Sequence, residues 1–248
     1  MRPVSLTEIF LPVFPVIGSN QPRAISVRSI TMKLVKFLTA AVCCLSMTCL
    51  FADEKTDSEG FESLFDGKTL DGWHNPYKWG KSEVVDGEIH LTGDKKFFLV
   101  TDKTYGDFIF EGEVLLPEGQ ANSGFMFRAH AEPGKVFGYQ SEVDGDPKRG
   151  WSGGLYDEGR RMWFVSPISG DKASVDAFRK RAGDAFKRKE WNTYRITCKG
   201  SKITIEVNGV VTTETEDDKD ASGVIGIQHH GEKGKTYKFR NLRIKELD

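Results

Sequence analysis

Residues 191–214 read WNTYRITCK, GS, KITIEV, NG and VVTTE in unbroken succession. Short runs rich in β-branched and aromatic residues are joined by two-residue links that carry glycine. Side chains alternate between the two faces of a strand, so runs of this kind predict antiparallel strands closed by tight turns. The same pattern extends in both directions. Residues 81–85 and 88–91 flank Asp86-Gly87, residues 108–114 (FIFEGEV) and 124–128 (GFMFR) alternate, and residues 223–230 and 237–246 read as the last strands. Short, regularly spaced strands with glycine-bearing turns predict an all-β sandwich or barrel and argue against a parallel α/β fold. One segment departs from the rhythm. Val175, Phe178, Ala182 and Phe186 recur at helical spacing behind Ser174, a residue type suited to an N-cap. A short helix near 174–188 is expected, solvated and lying over a sheet edge.

The first fifty residues are of a different kind. Lys33 and Lys36 precede an apolar run over 37–52 that ends on Ala52, the layout of a secretory signal peptide. The run is too short for a comfortable membrane span. Cleavage after Ala52 gives a chain that starts at Asp53, although Leu50 stands where a small residue is preferred; Cys49 lies in a poor context for lipid attachment. Residues 1–31 hold Pro3, Pro12, Pro15 and Pro22 and show no period. Translation is therefore expected to begin at Met32, the alternative being a genuine disordered extension. The expected organisation is extension plus signal over 1–52, an acidic tether over 53–60 and one domain over 61–248. A secreted or periplasmic location follows, with no stable membrane insertion after the signal is removed.

The whole chain carries 35 basic and 36 acidic residues. Its first 52 residues hold five basic residues and Glu8, which leaves 30 basic and 35 acidic residues and a net charge of −5. No basic stripe marks a nucleic-acid partner. Cys43, Cys44 and Cys49 depart with the signal, so Cys198 remains alone and no internal disulfide forms. The core must hold without staples, which a domain of roughly 190 residues does by burying about 70% of its unfolded surface.

Several phrases together carry a family likeness. Residues 64–73 read LFDGKTLDGW; then come YGDF at 105–108, NSGFMFR at 122–128, EWNTYR at 190–195, GIQHHG at 226–231 and FRNLRI at 239–244. In this order, and over the whole of 61–248, they resemble the 3-keto-disaccharide hydrolase domain family. The resemblance implies a concanavalin-like jelly roll of two curved antiparallel sheets, and glycosides already oxidised at carbon 3 as the substrate class. A family likeness fixes the scaffold better than the reaction.

Alternation selects candidate site residues independently. In 108–114, Phe108, Phe110 and Val114 point to the core, which leaves Glu111 and Glu113 opposite. In 124–128, Phe125 and Phe127 point inward, with Met126 and Arg128 opposite. In 139–144, Tyr139 and Val143 are core candidates, and Gln140, Glu142 and Asp144 face away. In 224–230, Ile225, Ile227 and His229 point inward, leaving Gln228 and His230 on the polar face. If these strands are neighbours in the concave sheet, one surface collects Glu113, Arg128, Gln140, Glu142, Gln228 and His230, a set suited to acid–base chemistry on a sugar. Each has a plainer reading: Glu113 a solvated carboxylate, Arg128 and Glu142 cross-strand ion-pair partners. Imidazole as a side-chain type is suited to proton transfer near neutral pH, so His230 is preferred over the core-facing His229. The stretch WSGGLYDEGRR at 151–161 is expected to be a loop across the groove mouth, with Tyr156 or Trp151 stacking on a ring and Asp157 holding a hydroxyl. Its alternative is a charge-paired surface loop.

A ketone at carbon 3 makes the proton on carbon 2 acidic, so a base can remove it while the group on carbon 1 departs. His230 or Glu142 is expected as the base, Arg128 as the stabiliser of the enediolate, and Asp157 or Glu113 as the acid. The partner is a small sugar or glycoside. No cofactor is expected, the alternative being a divalent metal held by Glu142 and His230. No HExxH, CxxC, GxSxG or P-loop motif is present. The competing function is a non-catalytic carbohydrate-binding module, which would show a flat aromatic platform with few titratable groups.

Overall fold

The computed structural model describes Asp57 and residues 59–248. The expected signal, the extension before it and most of the tether lie outside the described residues. In chain order the strands are Glu62–Ser63 (β1), Trp73–His74 (β2), Lys81–Val85 (β3), Glu88–Thr92 (β4), Phe97–Tyr105 (β5), Phe108–Leu115 (β6), Asn122–Glu132 (β7), Lys135–Asp144 (β8), Leu155–Glu158 (β9), Asn192–Lys199 (β10), Lys202–Val207 (β11), Val210–Glu216 (β12), Gly223–His229 (β13) and Thr236–Glu246 (β14). The helix Lys172–Ala182 (α1) lies between β9 and β10.

The strands form two sheets, and every pairing is antiparallel. One sheet runs β12-β11-β10-β6-β14-β4-β3 with β1 added beside β14; the other runs β2-β5-β13-β7-β8-β9. The turns follow their residues: Asp86-Gly87 and Asn208-Gly209 all have positive φ, as a two-residue hairpin demands. Between the sheets, Phe125 of β7 packs on Phe110, Tyr194 and Phe239 of the facing sheet, with ring centroids 5.5, 5.1 and 5.8 Å apart. Gly112 makes room for it, because a Cβ there would lie 2.8 Å from Leu242 Cδ2 and 3.1 Å from Phe125 Cε1.

The structure corrects the sequence reading in several places. The helix begins at Lys172, capped by Asp171, whose Oδ1 accepts the Ser174 amide at 3.1 Å, and ends at Ala182, so Ser174 is inside the helix and Phe186 is beyond it. It is also more than a solvated helix, since Phe178 and Ala182 are buried against Trp151. Residues 155–158 form the edge strand β9 and not a loop. Glu113 lies on β6, which belongs to the sheet facing away from the other candidates; its carboxylate meets Arg240 Nε at 2.7 Å and Asn241 Nδ2 at 3.0 Å.

Arg128 is the sharpest departure. The β7–β8 register shifts between Phe127 and His130, and Arg128 has a φ of 44°. This bulge turns the side chain off the groove face to the end of the sandwich. There Nε donates to Gly106 O at 2.9 Å, Nη1 to Gly200 O at 2.8 Å and Nη2 to Asp107 Oδ1 at 2.8 Å. The residue is 1% exposed and ties the β5–β6 turn to the β10–β11 turn. Among the described residues no helix is long and apolar enough to cross a membrane.

Removing this guanidinium takes the donor from three backbone carbonyls, of Gly106, Gly200 and Asp220, and leaves a buried void. Arg128→Ala is expected to lower the unfolding free energy by about 3 kcal/mol, whereas Glu113→Ala costs no more than about 1 kcal/mol. Urea unfolding of the two variants checks the contrast.

Candidate functional site

The face of the β2-β5-β13-β7-β8-β9 sheet that points away from the core carries three rows of side chains, read from the register. Phe98, Gln228, Gly124 and Glu142 form one row, and Val100, Gly226, Met126, Gln140 and Tyr156 the next. Asn122 and Asp144 are paired on the third. Lys96, just before β5, reaches Glu158 of β9 with Nζ 2.5 Å from Oε1. These residues are separated by four inter-strand steps of about 4.8 Å each, more than the two side chains span on a flat sheet. The face is therefore concave.

Glu142 is the centre of the polar half. It is 3% exposed. Asn122 Nδ2 donates to Oε1 at 2.5 Å, Gln140 Nε2 to Oε2 at 3.0 Å, and Arg149 Nη2 also pairs with Oε1. Burial pushes the carboxyl up to about 7, helped by the Asp144 charge and opposed by Arg149, Asn122 and Gln140. Gly124 is needed opposite, since a Cβ there would lie 2.4 Å from Gln140 Cδ. Gln228 Nε2 donates to Gln140 Oε1 at 3.2 Å, while Gln228 Oε1 is buried without a protein partner. The Trp151 indole Nε1 is also buried and unpartnered. Buried polar atoms are nearly always satisfied, and because Gln228 lies on the concave face its free Oε1 can accept from a ligand hydroxyl.

The wall beside Glu142 is the loop after β8. Asp144 holds it: Oδ1 accepts the Asp146 amide at 2.9 Å, and Oδ2 accepts Arg149 Nε at 2.9 Å and the Trp151 amide at 3.1 Å. Helix α1 supports it from outside, with Arg179 donating to Arg149 O at 3.0 Å and Lys148 O at 2.6 Å. Trp151, Trp163 and Tyr156 form an aromatic row with successive centroids 4.7 and 5.0 Å apart.

The structure thus brings together Gln140, Glu142, Tyr156 and Gln228 from the expected set, and separates the rest. His230 follows the end of β13, exposed, with Nδ1 3.0 Å from Glu232 Oε1; it makes no hydrogen bond to the Glu142 cluster. Continuing the β13–β7 register places it across from Asn122, at the open rim. Asp157 points to the core side, pairing with Arg160 Nε at 2.7 Å and Arg161 Nε at 2.5 Å, because β9 alternates and Tyr156 takes the concave side. Arg128 and Glu113 are elsewhere, as described. Arg149 and Asn122 belong to the site without having been expected; NSGFMFR contained Asn122 one pleat before Gly124, whereas Arg149 sits in a loop where no period operates. Among the described residues no three His, Cys, Asp or Glu side chains converge as a metal site, and Glu142 and His230, the expected ligand pair, make no contact that joins them.

A cavity of about 940 Å³ lies on the opposite sheet beside Phe61, Phe65, Glu111, Glu113 and Arg243. Its carboxylates Glu111, Glu113 and Asp57 each meet a guanidinium, and the Thr69 and Lys68 amides hold Asp66 below the usual carboxylate range, so it offers no group poised for proton transfer. The concave cluster, by contrast, holds the shifted carboxyl and the unpartnered Gln228 Oε1.

Antiparallel jelly rolls with a polar concave face form a class of carbohydrate-related domains, and this chain has that fold. Residues 60–245 match the 3-keto-α-glucoside-1,2-lyase-like domain, and the chain belongs to that family. Its fold is similar to two candidate glycosyl hydrolases of Parabacteroides distasonis. One is 18% identical at a TM-score of 0.52, covering 77% of this chain and 95% of the other. The second is 20% identical at 0.51, covering 75% and 99%. The carbohydrate recognition domain of Emp47p is similar too, at 16% identity and a TM-score of 0.51, covering 79% and 99%. No curated protein matches the sequence.

Because Glu142 titrates at about 7 when folded and near 4.5 otherwise, the native state retains a proton that the unfolded chain has released between those values. This group therefore lowers stability as pH rises through that window and adds nothing further above it. The difference in Tm between Glu142→Gln and the parent is expected to move in favour of the variant from pH 4.5 to 7 and then level off. Other titrating groups are common to both chains and cancel. A pH-independent difference, from parallel thermal scans, would contradict the shift.

Proposed function

We propose that this domain cleaves glycosides carrying a ketone at carbon 3, with Glu142 as the base. The carboxylate takes the proton from carbon 2, the electron pair forms the enediolate with the carbon-3 oxygen, and the bond from carbon 1 to its leaving oxygen then breaks. The leaving oxygen takes up a proton, and the sugar is left with a double bond between carbons 1 and 2, to which water can add. The observation that carries this reading is the buried Glu142 carboxyl poised at about 7 beside the Arg149 guanidinium. Membership of a 3-keto-α-glucoside-1,2-lyase-like family supports the substrate class.

Arg149 has a second use. Its side chain is 34% exposed, whereas Glu142 is covered. A sugar reaches the carboxylate as Arg149 leaves it, and the guanidinium then faces the ketone oxygen, where charge develops. Losing that partner strengthens Glu142 as a base. Gln228 Oε1 is the free acceptor for a ring hydroxyl. Tyr156, held protonated because burial raises its hydroxyl, and His230 at the rim are the groups able to give the leaving oxygen its proton. The basic and apolar segment that ends at Ala52 supports a site of action outside the cytoplasm.

A carbohydrate-binding module is the second reading, favoured by the Trp151–Trp163–Tyr156 row and by the lack of a histidine bonded to Glu142. Release of the leaving group from a 3-keto-α-glucoside and from its unoxidised parent separates the two. Cleavage of the keto-sugar alone is expected, with Glu142→Gln slowing it by about 10³-fold. Binding without cleavage of either sugar would establish the module, and cleavage of both would point to an ordinary glycosidase.

A further inference from the structure

We propose that the concave face accepts only the end of a glycan, one terminal unit at Glu142 with the rest of the chain leaving past His230 and Arg149; this rests on the sugar reading above. Residues 75–80 connect β2 to β3 and run over the concave face instead of around the edge. Asn75 shapes the crossing: its Oδ1 accepts the Tyr77 amide at 2.8 Å and its Nδ2 donates to Trp79 O at 2.9 Å. On the far side, Pro76 O accepts the Gly134 amide at 2.8 Å, and the Tyr77 hydroxyl accepts the Val136 amide at 3.0 Å. Both donors belong to the β7–β8 hairpin, so the strap starts at one edge of the sheet and is fastened beyond β5, β13 and β7.

Beneath the strap the face is apolar. Phe98, Val100, Met126, Ala129, Val136 and Val224 form a separate cluster on which Tyr77 packs, its ring stacked on Phe98 at 6.2 Å. Trp79 continues the cover, 5.1 Å from the Tyr77 ring, with Nε1 donating to Lys96 O at 3.0 Å. The Lys96–Glu158 pair bridges β5 and β9 diagonally, from the row of His230 to that of Gly138. One end of the groove is therefore filled by Tyr77, while exposed His230 and the partly exposed Arg149 stand at the other. An internal unit would need chain to continue in both directions, and one of those directions is occupied by Tyr77. A terminal unit needs only the open one.

Three probes test this with the purified protein: 4-nitrophenyl 3-keto-α-glucoside, maltotriose with a ketone on its terminal unit, and a ring of six α-linked glucoses carrying one 3-ketone. The first two are expected to be cleaved, and the ring, which has no end, at least about 100-fold more slowly. Equal cleavage of ring and trisaccharide would overturn the terminal-unit inference while leaving the chemistry intact. Failure on the small glucoside would remove the chemistry itself, and this inference with it. In a Tyr77→Ala, Lys96→Gln variant, ring cleavage is expected to rise at least about 10-fold with the small glucoside unchanged. Because Tyr77→Ala cuts into the apolar cluster, a Lys96→Gln, Glu158→Gln variant keeps the strap packed and removes the bridge alone; it is expected to go on excluding the ring, and admission of the ring by it would overturn the role given to Tyr77. A folded variant of the first kind that still excludes the ring would contradict the role given to the strap.

Discussion

A carboxylate withdrawn from water costs several kcal/mol unless charge and hydrogen bonds replace its hydration, and the concave face is organised around that requirement at Glu142. Two amides and one guanidinium meet its oxygens. Each partner is held in turn: Gln140 by the missing Cβ at Gly124, and Arg149 by Asp144 and the loop that Arg179 supports. The compensation is incomplete, since burial still pushes the carboxyl up to about 7. A group left between its two protonation states at neutral pH is suited to taking and returning a proton.

The scaffold separates holding from reacting. The inward face is an aromatic core in which Phe125 reaches three strands of the facing sheet. Arg128 secures the end of the sandwich and Asp157 secures the β9 turn through Arg160 and Arg161. With these charges committed to structure, the concave face is left with one polar cluster and one apolar patch. The strap over the patch turns a surface that could hold a long chain into a pocket with one mouth. Helix α1, outside both sheets, acts on the site through the loop it braces.

Much of this was legible in the sequence because strands have a strict period of two. Alternation placed Gln140, Glu142 and Gln228 on one face and His229 in the core. The family phrases fixed the fold. Alternation tells which face a residue takes, not which sheet its strand joins, and that is why Glu113 was grouped with residues on the far side of the sandwich. It also fails at a bulge. Nothing in FMFRAHA signals the positive φ at Arg128, a conformation usually marked by glycine or asparagine. Asp157 was misread because the glycines of 151–161 suggest a loop, whereas four residues of that stretch pair with β8. Arg149 and the strap lie in irregular segments, where position comes from tertiary contacts such as Arg149 with Asp144 and Tyr77 with Val136.

The central claim is that Glu142 stays protonated well above the usual carboxylate range and loses its proton near neutrality. Carbon-13 NMR titration of the side-chain carboxyls, with Glu142→Gln identifying the resonance, tests it directly. The account predicts a midpoint at about 7 for that carboxyl. A midpoint near 4.5, the ordinary value for glutamate, would contradict it.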